Sequence, residues 1–245
     1  MLDDWHIALL MFREAEMQLI PSVIDFKVAE RGRQVRSGLV KGGRQELFEP
    51  SVTREFVRGV LDPLLAASTG FSEQIYTWEI INEPEWPVQN QLVTQAKMNA
   101  FIRLCYDSIR RHRFRSTVGF ARETTYHDWQ PFRHTVPSQR SRRASFAAFP
   151  DDFDFQYHYY TRYWRRPIPP TLPPGTILGE FSTRAGRDVW DISLQSGSGQ
   201  STLYRLRHLR DQGVHLALPW SHPDFNQDSS TAQNWSSLRR DLAAL

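Results

Sequence analysis

Ile75-Tyr76-Thr77-Trp78-Glu79-Ile80-Ile81-Asn82-Glu83-Pro84 is the stretch on which the reading of this chain turns. Its first seven residues are mostly β-branched or aromatic, the composition of a buried strand. The run then breaks into Asn82, Glu83 and Pro84, and the proline removes the backbone donor a longer strand would need. A carboxylate at the end of so apolar a strand requires an account, because carboxylates are rarely buried without a partner. Either Glu83 has a structural ion pair, or it sits at a site and does chemistry there.

Outward from this strand, the chain alternates between short apolar runs and amphipathic segments. Leu19 to Phe26, Thr117 to Ala121, Asp154 to Tyr160, Thr176 to Glu180 and Val214 to Trp220 read as further strands. Helices are expected over Ile7 to Gln18, with apolar positions at Ile7, Leu10, Met11 and Met17, and over Arg54 to Ala67, with Ser51 as N-cap. Gln91 to His112, Thr202 to Gln212 and Trp235 to Ala244 also read as helices. Arg31 to Arg44, rich in glycine and arginine, reads as a loop. Strands and helices alternating at this spacing predict a parallel sheet with helical crossovers. Neither G-x-G-x-x-G nor a P-loop occurs, which argues against a nucleotide-binding open sheet. Polar and aromatic residues crowd the C-terminal ends of several strands, where a barrel keeps its active site. The expected fold is therefore α/β, of the (β/α)8 TIM-barrel type, in one domain spanning residues 1–245.

Composition narrows the functional classes. The charge balance is +3 with a pI near 9.2, and Lys27, Lys41 and Lys97 are the only lysines. The arginine clusters Arg110-Arg111-His112-Arg113 and Arg140-Ser141-Arg142-Arg143 are scattered among acids. The first of them falls at an expected helix end, which favours positive charge. No nucleic-acid partner is expected, since one would require base concentrated on a single face. No apolar run is long enough for a membrane helix, so no membrane partner is expected. Met1 to Trp5 carries acid where an export signal would carry base, and the compartment stays open between cytoplasmic and secreted. A single cysteine, Cys105, precludes an internal disulfide. The histidines show no metal-ligand spacing, and neither a metal nor another cofactor is expected.

Three strand ends carry candidate chemistry: Asn82-Glu83, His158-Tyr159-Tyr160 and Glu180-Phe181. Two carboxylates facing one site permit acid/base work at a glycosidic bond, one protonating the leaving oxygen while the other stays ionised. A separation of about 5–5.5 Å gives retention, and about 6.5–9.5 Å gives inversion. The run Trp78 to Pro84 resembles the fourth strand of clan A glycoside hydrolases, the clan of the cellulase and mannanase family. There, an Asn-Glu-Pro motif carries the acid/base glutamate. The resemblance implies Glu83 as acid/base, with Asn82 binding the sugar 2-hydroxyl. Leu178-Gly179-Glu180-Phe181 looks like the seventh strand and implies Glu180 as nucleophile. His158 and Tyr160 are similar to the His-x-Tyr of the sixth strand, whose tyrosine steadies the nucleophile. Leu218-Pro219-Trp220 resembles the eighth strand, implying Trp220 as the floor of a sugar subsite; Trp86 is the next aromatic candidate. The implied function is retaining hydrolysis of β-linked oligo- or polysaccharides.

Two departures stand beside this resemblance. Counted against the clan, Leu19 to Phe26 is the third strand, so about six βα units are visible and the first two are not. The arginine that the clan carries on its second strand has no counterpart. These departures favour the rival reading, a non-catalytic sugar-binding or degenerate relative, while the presence of both glutamates favours the enzyme.

Overall fold

The computed structural model describes residues 1–34, 40–121, 150–159, 175–182, 210–211, 214 and 216–220. The chain divides into two compact units, Met1–Asp154 and Phe155–Leu245. Among the described residues, no helix is long and apolar enough to cross a membrane.

The first unit is built on a parallel sheet of four strands: β1 (Ser22–Asp25), β4 (Trp78–Asn82), β5 (Ser116–Gly119) and β6 (Phe153–Asp154). They lie side by side in chain order, every pair parallel. All four residues of β5 and the first four of β4 are buried. Burial on both faces is what a parallel sheet under helices requires, and it explains the nearly unbroken apolar run that marked β4. Side chains alternate along that strand. Trp78 packs towards the helices, against Trp5 and Phe114 at ring-centroid distances of 5.7 and 6.2 Å.

Helix α1 (Leu2–Glu14) forms, but not with the face expected. Its contacts run through Trp5, His6, Leu9 and Arg13. The Trp5 indole donates to Ser68 Oγ at 2.8 Å, and His6 and Arg13 both lie on the Phe71 ring. Leu9 is fully buried, whereas Ile7, Met11 and Met17 are 55%, 63% and 54% exposed. Hydropathy favours the aliphatic stripe, but the tertiary structure selects the opposite one, because aromatic rings and the arginine stem supply more contact area than their polarity suggests.

The helix expected over Arg54 to Ala67 extends to Pro50–Ser68 and has an interruption. Helix α2 (Pro50–Phe56) and α3 (Asp62–Ser68) are joined by a π-helical turn at Val57–Leu61. Pro63 accounts for it: its ring would clash with the carbonyl four residues back, and a wider turn relieves the clash. Ser51 is not the N-cap; Glu49 holds that position and Pro50 opens the helix. A short helix, α4 (Glu85–Gln89), follows Pro84, and the next, α5 (Gln95–Arg111), is capped by Thr94, whose hydroxyl accepts from the Lys97 N–H at 3.3 Å. The arginine cluster does fall at the end of α5, where Arg110 meets Asp152 and Arg111 meets Asp62.

Cys105 lies within α5, fully buried, and burial pushes its thiol up, with Asp62 adding to the effect. Only the thiolate is an effective nucleophile. Ellman's reagent is therefore expected to leave the native protein unlabelled and to modify the thiol once denaturant is added. Rapid labelling of the native state would contradict this packing of α5.

Two further corrections concern the strands. The segment read as a loop from Arg31 contains an antiparallel hairpin, β2 (Arg33–Gln34) with β3 (Val40–Lys41). The single strand expected from Asp154 to Tyr160 is split at Phe155. Its first piece, β6, belongs to the first unit, and β7 (Gln156–Tyr159) belongs to the second.

The second unit carries three parallel strands in chain order, β7, β8 (Ile177–Ser182) and β9 (Leu216–Trp220). Among its described residues, Tyr157, Ile177 and Leu178 are fully buried. The helix expected over Thr202 to Gln212 is represented by Arg210 and Asp211, both helical. The helix expected over Trp235 to Ala244 lies outside the described residues. Both units are thus mixed α/β with parallel strands, as the alternation of the sequence predicted.

Candidate functional site

In the first unit, the C-terminal ends of β1 and β4 converge on a small polar group. Parallel pairing puts Asp25 opposite Asn82, the last residue of each strand. The Asn82 amide donates to Asp25 Oδ2 at 3.0 Å, and Asp25 Oδ1 accepts the Lys27 backbone N–H at 2.9 Å. Both oxygens of Asp25 are thereby used in fixing the orientation of Asn82.

Glu83 follows at once, with a backbone φ of 47°. A non-glycine residue in the left-handed region is uncommon, and for a residue preceding proline the helical regions are already disfavoured. The conformation is held by the Glu83 N–H, which donates to the Gly119 carbonyl at 2.7 Å, and by α4 beginning two residues later. It turns the chain sharply from strand to helix. The Trp86 indole N–H, one turn on, donates to Glu83 Oε2 at 2.7 Å. Backbone strain of this kind persists where surrounding structure enforces it, and such places cluster at functional sites. The partly exposed carboxylate beside a half-exposed indole can pass a proton to a bound molecule and offer it an aromatic face.

Beneath these residues lies Glu79, buried in the middle of β4. The Ser22 hydroxyl donates to its carboxylate across the β1–β4 pair. Gly119 on β5 packs so close that a Cβ there would overlap the Glu79 carboxylate and stand 3.1 Å from Asn82 Oδ1.

In the second unit, β7 and β8 pair so that His158 lies opposite Glu180. His158 Nδ1 is 3.4 Å from Glu180 Oε2, with the imidazole 1% and the glutamate 8% exposed. A buried carboxylate beside a buried imidazole satisfies the pairing that burial demands. Gly179 admits the Gln156 side chain, which a Cβ at that position would displace. Trp220 ends β9, in register with Ser182 at the end of β8. Tyr160 lies outside the described residues.

Of the residues singled out from sequence, the fold brings Asn82 and Glu83 together with Trp86, and His158 together with Glu180. Asp25 and Glu79 were missed. Asp25 carries the same mark that picked out Glu83, a carboxylate closing an apolar strand, and applying that rule to every strand would have found it. Glu79 had no such mark, because strand alternation alone does not separate a buried glutamate from an exposed one. Comparison of the chain with protein-family models, with curated proteins and with solved structures yields no match.

Proposed function

We propose that this protein is a retaining glycoside hydrolase of the (β/α)-barrel type, acting on β-linked glycans with Glu83 as acid/base and Glu180 as nucleophile. The observation that carries this reading is the placement of Glu83: a carboxylate turned out of a parallel strand's C-terminal end by a left-handed backbone, flanked by Asn82 and held by the Trp86 indole. Catalytic groups in barrels come from this end of the strands. The chain-order pairing of neighbours in both sheets supports a barrel-type winding, since a doubly wound open sheet reverses its order at a switch point.

The reaction proceeds in two displacements. A Glu180 carboxylate oxygen attacks the anomeric carbon while Glu83 gives its proton to the departing glycosidic oxygen, leaving a glycosyl ester on Glu180. Glu83, now ionised, takes a proton from water, whose oxygen displaces Glu180 from the same carbon. Two inversions return the starting configuration. His158 holds the Glu180 carboxylate at one oxygen, and Asn82, held by Asp25, is available to the sugar. No step calls on a metal or another cofactor.

The test is to offer the purified chain a panel of aryl β-glycosides and β-glycans and to follow the first-formed anomer by proton NMR. Appearance of the β-anomer before mutarotation is the expected result. The α-anomer would sink the two-step mechanism. Absence of hydrolysis by soluble, folded protein across the panel would replace it with the non-catalytic sugar-binding reading.

A further inference from the structure

A cavity of about 420 Å³ lies between the end of β1 and the base of the β2–β3 hairpin, lined by Ile24, Asp25, Lys27, Val28, Lys41 and Gly42. That volume falls within the ordinary range for small-ligand sites. Two of the chain's three lysines line it, in a sequence that otherwise uses arginine for its positive charge. Neither ammonium has a carboxylate partner among the described residues, and the Lys27 Nζ lies 5.6 Å from the Phe26 ring centroid instead. The one acid in the wall, Asp25, already has both oxygens engaged, by the Lys27 N–H and the Asn82 amide. Arg33 stands opposite Lys41 across the hairpin and adds to the positive field.

The two segments that carry the lysines are held together by their backbones. After β3 the chain turns through Gly42 at φ 78°, where a Cβ would come within 2.9 Å of the Glu30 carbonyl and 3.2 Å of that of Lys27. The Gly43 N–H then donates to the Glu30 carbonyl at 2.6 Å and the Arg44 N–H to that of Val28 at 3.0 Å. These bonds pin the foot of the hairpin against the segment that carries Lys27. The cavity is therefore an open depression with a net positive wall, and Asp25, which lines it, bonds Asn82, the neighbour in sequence of the proposed acid/base.

We propose that this recess binds an anionic group on the glycan, a carboxylate or a sulfate ester, so that the substrate of the site is an acidic polysaccharide. The inference rests on the hydrolase reading given above and names the substrate class for it. The ammonium groups, both exposed, attract either anion as point charges beside the apolar side chains of Ile24 and Val28.

The test is calorimetric titration of the whole chain with three β-1,4-linked hexasaccharides: an oligomannuronate, a sulfated cello-oligomer without uronate, and neutral cellohexaose. At least one of the two acidic ligands is expected to bind more tightly than the neutral one, and which one does so identifies the anion. Lys27→Gln and Lys41→Gln are each expected to lower the acidic-over-neutral preference by about fivefold, the upper end for an exposed charge pair. Equal affinity for acidic and neutral ligands overturns the proposal. So does a preference that survives the double variant but falls with Arg54→Gln and Arg58→Gln on α2 and its π turn, since that would be the field of a generally basic surface. If neutral glycans are bound and hydrolysed as well as acidic ones, this proposal alone fails. If no saccharide is bound or hydrolysed, the hydrolase reading fails with it.

Discussion

Glu180→Ala is expected to lower kcat for a nitrophenyl β-glycoside by about ten-thousand-fold or more, without loss of the folded state. The magnitude follows from the role: a nucleophile that forms the covalent intermediate has no substitute in the site, and the losses seen on deleting such residues are of this order. Added azide is small enough to enter the space the carboxylate vacates. It is expected to restore turnover and to leave as the α-glycosyl azide, because a single displacement inverts the anomeric carbon. Glu83→Ala separates the two carboxylates. An activated nitrophenolate needs little protonation to depart, so the first step survives, while glycans with ordinary alcohol leaving groups lose about a hundredfold to ten-thousandfold. Azide added to this variant is expected to yield the β-glycosyl azide, by intercepting the proposed glycosyl ester on Glu180. Near-normal activity of Glu180→Ala would remove it from the mechanism. The isosteric Glu180→Gln guards against misreading a folding defect, because His158 and Glu180 are buried together and removing one leaves the other without this partner.

Gly119→Ala is expected to lower both the stability of the first unit and the activity. The new Cβ would run into the Glu79 carboxylate and press on Asn82 Oδ1 from 3.1 Å. Neither neighbour can swing away freely: Glu79 is buried and accepts from Ser22, and Asn82 is tied to Asp25. Overpacking of a buried site typically costs about 1–3 kcal/mol. The same displacement reaches Glu83 by two routes, through Asn82 next to it in the chain and through the Gly119 carbonyl that holds its N–H. Misplacement of a catalytic group by an ångström can cost about a hundredfold in rate. The variant should therefore show a lower urea midpoint at unchanged slope, together with a loss in kcat of about that size. Gly59→Ala is the control, since a Cβ there meets no atom within 4 Å. In that helical setting it should leave stability unchanged or raise it by about 0.5–1 kcal/mol. Equal behaviour of the two variants would disprove the packing described around Glu79.

Residues 78–82, 116–119, 177–182 and 216–220 could be recognised as strands from the chain alone, because each is an apolar or β-branched run whose preference is local. Their parallel pairing was expected from the helices read from sequence over Gln91 to His112 and Thr202 to Gln212, which lie between successive strands. The carboxylates that close or end these strands were visible for the same reason: a charge set against so apolar a run stands out without any knowledge of its neighbours. The basic end of α5 was equally legible, since the helix dipole acts within a turn, whereas its start was read at Gln91 and lies at Gln95, behind the Thr94 cap.

What the chain alone did not reveal depended on contacts between residues far apart in sequence. Which stripe of α1 is buried was decided by Trp78, Ser68 and Phe71, not by the hydropathy of the helix. The bond from Asn82 to Asp25 exists because one particular register pairs the last residues of β1 and β4, and a shift of one strand by one residue would put the two side chains on opposite faces. Glu79 is buried because Gly119 leaves space for it, and Glu83 is left-handed because the carbonyl of that same glycine holds its N–H. Local sequence thus determined where the strands run and which of them end in acids. Only the tertiary structure decided the setting of those acids, because register, burial and partner choice are properties of pairs of segments and not of either segment by itself.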